Sequence, residues 1–133
     1  VCLYCGFRLE RIGIRCTYDA LPEYYMNHIS LAPPTDVVLA ISWSGTTRNV
    51  VSALKLAREK GLKSVAVTAY QRSPVSASAD YLLLSALENG ENGRMSQYSR
   101  MNEMAVMEAL IQAVAGGKEE ISEPEMWLSE LKY

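Results

Sequence analysis

The sequence predicts an α/β domain in which helices flank a doubly wound parallel sheet. Three runs, at 36–42, 64–68 and 80–84, have continuously apolar interiors. This is the pattern of parallel strands covered on both faces. A strongly amphipathic helical segment lies between the first two runs, and glycine or proline residues separate the elements. Strands that alternate with helices along a chain favour a parallel sheet with helices on both sides.

The N-terminal part of the chain predicts a helix, a short strand and a second helix. Residues 1–11 carry an apolar stripe typical of the end of an amphipathic helix, and Gly13 ends it. A short strand is predicted at 14–18. Residues 21–31 predict a helix that Pro33 and Pro34 terminate.

The central part contains the clearest strand and the clearest helix. The strand is predicted at 36–42, and the helix at 47–60, with Gly61 as the residue that ends it in a left-handed conformation. A second buried strand is predicted at 64–68. The helix has one apolar face and places its charged residues mostly on the other.

The C-terminal part predicts a short helix, a third strand and a long helix. Ser73 and Pro74 suit the N-cap and first position of the short helix. The strand follows at 80–84, and the long helix at 96–115. Its inward-facing residues are predicted to be Met104, Met107, Leu110, Ile111 and Val114.

Length and composition indicate one globular domain. The chain has 133 residues, of which 49% are hydrophobic and 21% charged, and its formal net charge is −2. This charge balance lacks the excess of basic residues that is typical of nucleic-acid-binding domains. We expect a domain at 1–115 and a separate acidic tail at 116–133, which is either a docking helix or a loose end. With no signal-peptide pattern and no apolar run of about 18 residues, the sequence predicts a cytoplasmic location and no membrane partner.

Three cysteines and one histidine limit the metal and redox alternatives. Cys2 and Cys5 have the spacing of half a metal site or of a redox pair. They lie inside a helical pattern, where positions i and i+3 share a face, and His28 is the only histidine. We therefore expect Cys2 and Cys5 to be small core residues, with no metal and no cofactor.

The segment Ser42–Thr47 carries the strongest chemical signal. It holds four hydroxyl side chains and Gly45, and it joins the best strand to the best helix. A helix start offers four backbone N–H groups without partners inside the helix and a partial positive charge. Converging neutral donors at such a point favour phosphate. The alternative is that Ser44 or Thr47 merely caps the helix. A Walker A loop and a G-x-G-x-x-G motif are both absent.

The segment from Ile41 to Thr47 resembles the S-x-S-G-x-T phosphate loop of sugar isomerase (SIS) domains. The subfamily it resembles most is that of RpiR-type transcriptional regulators. The other matching segments are Arg8–Gly13, Ala57–Gly61, Val65–Thr68, Ser73–Pro74, Ala79–Asp80 and Ser99–Arg100. The resemblance implies a flavodoxin-like three-layer α/β/α fold over residues 1–115.

The resemblance also implies roles for the loop residues. Ser42, Ser44 and Thr47 would hydrogen-bond the phosphate of a phosphosugar, Gly45 would let the backbone approach it, and Trp43 would cover the sugar or pack. Thr46, Ser73 and Glu88 are further candidate contacts.

Further expectations follow from the family's other parts. SIS domains open with a strand and a Gly/Ser-rich turn that do not precede residue 1 in this sequence, so we expect the sheet to lack the family's first strand. The resemblance implies a homodimer. DNA binding would belong to a helix-turn-helix domain outside these residues.

The sequence favours a non-catalytic effector-binding module over an enzyme, and we assign no catalytic residue. Isomerisation needs a base beside the carbonyl, yet no nucleophile–base pair or defined carboxylate pair is present. His28, Glu88, Glu91 and Glu103 are isolated candidates, and we expect the isolated glutamates to be solvated. The alternatives are a phosphosugar isomerase or related lyase and a structural fragment without a competent site.

Overall fold

A computed structural model describes residues 1–86 and 99–116. The described residues form eight elements, which alternate between strand and helix from the first strand onward. In order they are α1 (Cys2–Arg11), α2 (Pro22–Leu31), β1 (Val37–Ile41), α3 (Arg48–Glu59), β2 (Lys63–Thr68), α4 (Pro74–Ser78), β3 (Tyr81–Leu84) and α5 (Ser99–Ala115).

The three described strands form one parallel sheet in the order β1-β2-β3. Ile41 pairs with Val67, and Thr68 with Leu84, so the carboxyl ends of the strands meet at one edge. Within the described residues, β1 pairs only with β2. The predicted parallel sheet is confirmed.

Helices cover both faces of the sheet, as predicted for a doubly wound fold. On one face, Leu54 of α3 and Val75 of α4 pack with Ala66, Ala40 and Leu82. A second cluster on that side joins α2 to α3 through residues that include Ile29 and Ala57.

The opposite face is covered by α1 and α5. Cys5 and Met107, both buried, pack against Val67, Leu83 and Ile41. Because successive strand residues point to opposite faces, Val67 and Ala66 serve different layers of the core. The result is a three-layer arrangement with the sheet in the middle.

The end of α3 matches the sequence prediction at Gly61. The glycine has φ of 74°. Its N–H donates to the Arg58 carbonyl, and the N–H of Leu62 donates to the Ala57 carbonyl. These two bonds form a Schellman motif, which satisfies carbonyls that the helix leaves free.

The predicted strand at 14–18 is wrong. Burial does alternate along this segment as it would in a strand: Ile14, Cys16 and Tyr18 are half-buried, and the residues between them are exposed. The segment nevertheless pairs with no described strand, because it lies beside α1, where the Tyr18 ring packs against Gly6. A strand needs a neighbouring backbone to hydrogen-bond, and periodicity does not supply one.

The predicted inward face of α5 is only partly correct. Met107 and Ile111 are fully buried and Leu110 is half-buried, whereas Met104 and Val114 are each 37% exposed. The buried stripe continues through Glu103 instead. Among the described residues, α5 packs mainly against α1 and the sheet. The buried stripe of α5 is therefore narrower than its apolar sequence pattern.

None of the helices in the described ranges is long and apolar enough to cross a bilayer. The predicted start of the last helix at 96–98 and the tail beyond Gly116 lie outside the described residues.

Candidate functional site

The loop Ser42–Thr47 leaves β1 at the carboxyl edge of the sheet and leads into α3. The N–H of Ser42 donates to the Val67 carbonyl at 2.9 Å, which extends the pairing by one residue. The Trp43 carbonyl accepts the N–H of Ala69 at 3.1 Å. The first half of the loop is therefore anchored to β2, at the edge where doubly wound sheets bind ligands.

Gly45 forms the turn of the loop. Its φ is 65°, a conformation that favours glycine. Its N–H donates to the Ser42 carbonyl, and its own carbonyl accepts the N–H of Val75 at 2.9 Å. A side chain at this position would overlap Ser73 and approach Thr68 Oγ1 to 3.0 Å. The loop packs so closely on α4 that only glycine fits.

The four hydroxyl groups of the loop form two pairs. Ser42 Oγ and Thr47 Oγ1 lie 3.1 Å apart, and Ser44 Oγ and Thr46 Oγ1 lie 3.0 Å apart. Ser42 is buried, whereas the other three residues are exposed. Each hydroxyl is both a donor and an acceptor, so the pairs can turn their protons toward an incoming anion.

The start of α3 has no side-chain cap. Thr47 occupies the N-cap position, but its side chain makes no capping hydrogen bond. Ser44 Oγ accepts the N–H of Thr46 at 3.3 Å, which lies before the helix. The alternative that one of these hydroxyls serves only as a helix cap is therefore wrong. The first backbone N–H groups of α3 keep their capacity to bind an anion.

Thr68 was not predicted as part of the site, yet its side chain holds the loop through a hydrogen bond to the loop backbone. It is fully buried, and its Oγ1 donates to the Trp43 carbonyl at 3.1 Å. Its own carbonyl accepts the N–H of Ser85 at 2.9 Å. The sequence did contain a signal for this role, because Thr68 is a polar residue at the end of an apolar strand. A buried hydroxyl requires a hydrogen-bond partner.

Trp43 lies beside Tyr70, a residue that sequence reasoning did not select. The two rings meet edge to face with centroids 6.5 Å apart and an interplanar angle of 74°. Trp43 is half-buried, and Tyr70 is 41% exposed. The pair forms an aromatic surface at the carboxyl edge next to the loop.

Ser73 caps α4, as the sequence predicts. Its Oγ accepts the N–H of Ser76 at 3.2 Å, and Ser76 Oγ accepts the N–H of Ser73 at 2.8 Å. This reciprocal pair is a capping box, and Pro74 follows at the first helical position. The structure thus places Ser73 against Gly45, with its hydroxyl engaged in the cap.

The isolated acid–base candidates fall into three groups. His28 is exposed near the end of α2, and its neighbour Ile29 packs with Ala57 and Leu62. That contact places His28 near the amino ends of the strands, away from the loop. Glu88 and Glu91 lie outside the described residues. Glu103 is buried in α5, contrary to the expectation that an isolated glutamate is solvated.

The cysteines are free thiols. Cys5 is buried, as expected for a core residue, and Cys2 and Cys16 are half-buried. Burial is the main cause that raises the pKa of all three thiols, which keeps them protonated and weakly nucleophilic near neutral pH. The described part of the chain contains no group of three or more residues suited to hold a metal ion.

The chain is similar to several proteins of known name. Residues 1–113 match the SIS domain family. The HTH-type transcriptional regulator RpiR of Escherichia coli K12 is 33% identical over 118 residues, which cover 86% of this chain and 39% of the regulator. Phosphoheptose isomerase of Nitratidesulfovibrio vulgaris is 46% identical over 54 residues, covering 41% of this chain and 26% of the enzyme.

A solved structure has the same fold. The NanR protein of Vibrio vulnificus, complexed with ManNAc-6P, superposes with a TM-score of 0.83 at 22% identity, covering 97% of this chain and 49% of NanR. The chain spans about two fifths of the length of the RpiR regulator. The matched family, the fold and the loop lead to one conclusion: this chain belongs to the SIS domain family.

Proposed function

We propose that this chain is the effector-sensing module of an RpiR-type transcriptional regulator and that it binds a phosphorylated sugar in the cytoplasm. One observation carries the proposal: the hydroxyl-rich loop Ser42–Thr47 leads directly into the uncapped start of α3 at the carboxyl edge of the sheet. Backbone N–H groups and hydroxyls there suit a phosphate without any titrating side chain.

The residues have distinct roles in this proposal. Ser42, Ser44 and Thr47 donate to the phosphate, and Gly45 lets the backbone approach it. Trp43 faces the sugar, with Tyr70 packed against it. Thr46, Ser73 and Glu88 are secondary candidates.

Signalling requires more than binding. A ligand shifts an equilibrium between two arrangements only if it binds one of them more tightly. We propose that the module spans residues 1–115, acts as a homodimer and alters DNA affinity through a helix-turn-helix domain elsewhere in a longer protein. The RpiR relative is named as an HTH-type regulator, and NanR was solved with a sugar phosphate.

A second candidate is a phosphosugar isomerase, which the similarity to phosphoheptose isomerase favours. It requires a base at the carboxyl edge. His28 lies toward the other end of the sheet, so it does not supply that base to the loop of its own chain. Turnover of a sugar phosphate by the purified chain would support this candidate over the sensor.

The test is a thermal melt of the chain against inorganic phosphate and a panel of sugar phosphates, with Ser44→Ala alongside. A ligand at 100 times its dissociation constant stabilises the fold by about 2.7 kcal/mol. We expect one or more sugar phosphates to raise the midpoint of the wild-type chain. Ser44 is exposed, so its substitution should leave the ligand-free midpoint unchanged and reduce the ligand-induced rise.

Ser30→Ala is the matched control. Ser30 is an exposed serine on α2, away from the loop, and its hydroxyl bonds only the Asn27 carbonyl among the described contacts. It should respond to ligand like the wild type. If sugar phosphates and phosphate leave every midpoint unchanged, or if Ser44→Ala responds like Ser30→Ala, the proposed site is wrong.

A further inference from the structure

Trp43 and Tyr70 form an aromatic pair beside the hydroxyl groups of the loop. The two rings meet edge to face, with centroids 6.5 Å apart and an interplanar angle of 74°. An edge-to-face contact covers one face of one ring, so the other ring faces stay free of the partner ring. Trp43 is half-buried and Tyr70 is 41% exposed, so solvent, and therefore a ligand, reaches both side chains.

A tight turn places the tryptophan next to an exposed hydroxyl. The N–H of Gly45 donates to the Ser42 carbonyl at 3.1 Å and closes a four-residue turn. Trp43 and Ser44 occupy the two central positions of that turn, and Ser44 is exposed. The Cα atoms of neighbouring residues lie about 3.8 Å apart. An anion that binds Ser44 is therefore held at the residue that adjoins Trp43.

Thr68 holds the backbone of both aromatic residues. Its buried Oγ1 donates to the Trp43 carbonyl at 3.1 Å and accepts the N–H of Tyr70 at 3.4 Å. The N–H of Ala69 donates to the same Trp43 carbonyl at 3.1 Å. The two aromatic residues are thus tied to one buried side chain at the end of β2. A surface that is fixed before binding loses less conformational entropy when a ligand arrives.

We propose that the Trp43–Tyr70 pair selects sugar phosphates in their closed-ring form, and that Tyr70 is a positioning residue that holds the Trp43 ring for this contact. This inference rests on the proposed phosphate loop. A pyranose ring presents a rigid face of C–H groups, whose slight positive charge suits the negative face of an aromatic ring. An open-chain sugar phosphate has no such face and loses rotational freedom on binding.

Selection of the closed ring also bears on the choice between sensor and enzyme. A closed ring has no free carbonyl, and aldose–ketose isomerisation removes a proton beside that carbonyl. An isomerase must therefore open the ring, whereas a sensor can bind the ring as it is. A preference for the closed ring thus favours the sensor.

The test measures dissociation constants by calorimetry for inorganic phosphate and for two matched pairs of probes. The pairs are glucose 6-phosphate with sorbitol 6-phosphate, and mannose 6-phosphate with mannitol 6-phosphate. The members of a pair share their carbon skeleton and phosphate, but only the first closes into a ring. The wild-type chain should bind at least one closed-ring probe about fivefold more tightly than its open-chain partner. Trp43→Ala should bring that ratio close to one and should weaken the closed-ring probe more than inorganic phosphate.

Two substitutions of Tyr70 test its positioning role. Phenylalanine keeps the ring, so Tyr70→Phe should retain the preference for the closed ring, whereas Tyr70→Ala should reduce it. Fluorescence gives a second measurement in a Trp127→Phe background, where Trp43 is the only tryptophan. A closed-ring probe that displaces water from the Trp43 ring should shift its emission to shorter wavelength. The open-chain partner should shift it less.

Equal affinities within both pairs, or a ring preference that survives Trp43→Ala, would overturn the proposed selection. A wild-type preference in Tyr70→Ala would overturn the positioning role of Tyr70. Ser44→Ala separates this inference from the proposed function. If phosphate binds and Ser44→Ala weakens it while no ring preference is seen, the loop stands and the aromatic selection is wrong. If no probe binds the wild type, or if Ser44→Ala leaves phosphate binding intact, the loop is wrong and the selection falls with it.

Discussion

The backbone of Gly45 lies directly against the side chain of Ser73, so the turn of the loop and the cap of α4 occupy adjoining space. The Gly45 carbonyl also accepts the N–H of Val75 in the first turn of α4. The loop and α4 therefore form one packed unit, and the shape of the proposed phosphate site depends on both.

Gly45→Ala should destabilise the fold by more than about 2 kcal/mol. The left-handed conformation costs an ordinary residue roughly 1–2 kcal/mol, and the overlap with Ser73 adds to it. Chemical denaturation measures the loss. Gly61→Ala is the matched control, since its φ is also positive but no atom lies within 4 Å of the added carbon. Equal losses at the two positions would show that the contact with Ser73 contributes nothing.

Thr68→Val should weaken ligand binding although Thr68 is not a proposed ligand contact. The substitution removes the hydrogen bond from Oγ1 to the Trp43 carbonyl and should cost about 1 kcal/mol of stability. The loop loses an anchor, so phosphate affinity should fall several-fold. Calorimetry and denaturation of the same variant measure both effects. Full phosphate affinity in a folded Thr68→Val chain would contradict a positioning role.

Asp80→Asn should lower stability at neutral pH, and the difference should close in acid. Hydrogen bonds from the Ser64 N–H and hydroxyl lower the pKa of Asp80. A lowered pKa means that the carboxylate stabilises the fold above its ordinary value near 4, and that this contribution is lost as the pH falls through the native pKa. Denaturation midpoints from pH 7 to pH 2.5 measure the trend. A gap that persists at the acid end would contradict it.

Ser64→Ala provides the comparison for Asp80. It removes the hydroxyl donor but keeps the backbone N–H bond of 2.8 Å. Its loss of stability at pH 7 should be smaller than that of Asp80→Asn, and it should show a weaker trend with pH.

Glu103→Gln should stabilise the ligand-free chain at pH 8 and have little effect at pH 4. Burial raises the pKa of Glu103, so the charged form is the disfavoured one. The fold therefore loses stability as the pH rises through the native pKa of this residue, and glutamine does not ionise. Thermal melts across that range measure the difference. A variant that is less stable than the wild type at pH 8 would show that the charge is satisfied in the ligand-free chain.

The elements that the sequence predicted best are those whose signals are local. The start of α4 at Ser73 and Pro74 and the end of α3 at Gly61 depend on hydrogen bonds between residues a few positions apart. The three described strands were found because burial on both faces requires an uninterrupted apolar run. The loop at Ser42–Thr47 stood out because its four hydroxyl residues fall within six positions and because its strand and helix are adjacent in the chain.

The sequence by itself determined the α/β class, the parallel strands and the loop, because each depends on residue types within short windows. Only the tertiary structure decided that residues 14–18 do not pair, that Thr68 anchors the loop and that Glu103 rather than Met104 lies buried in α5. Pairing and burial depend on which distant segments come together. Two residues in one periodic pattern can therefore end in different environments when the neighbouring helix and sheet cover only part of a face.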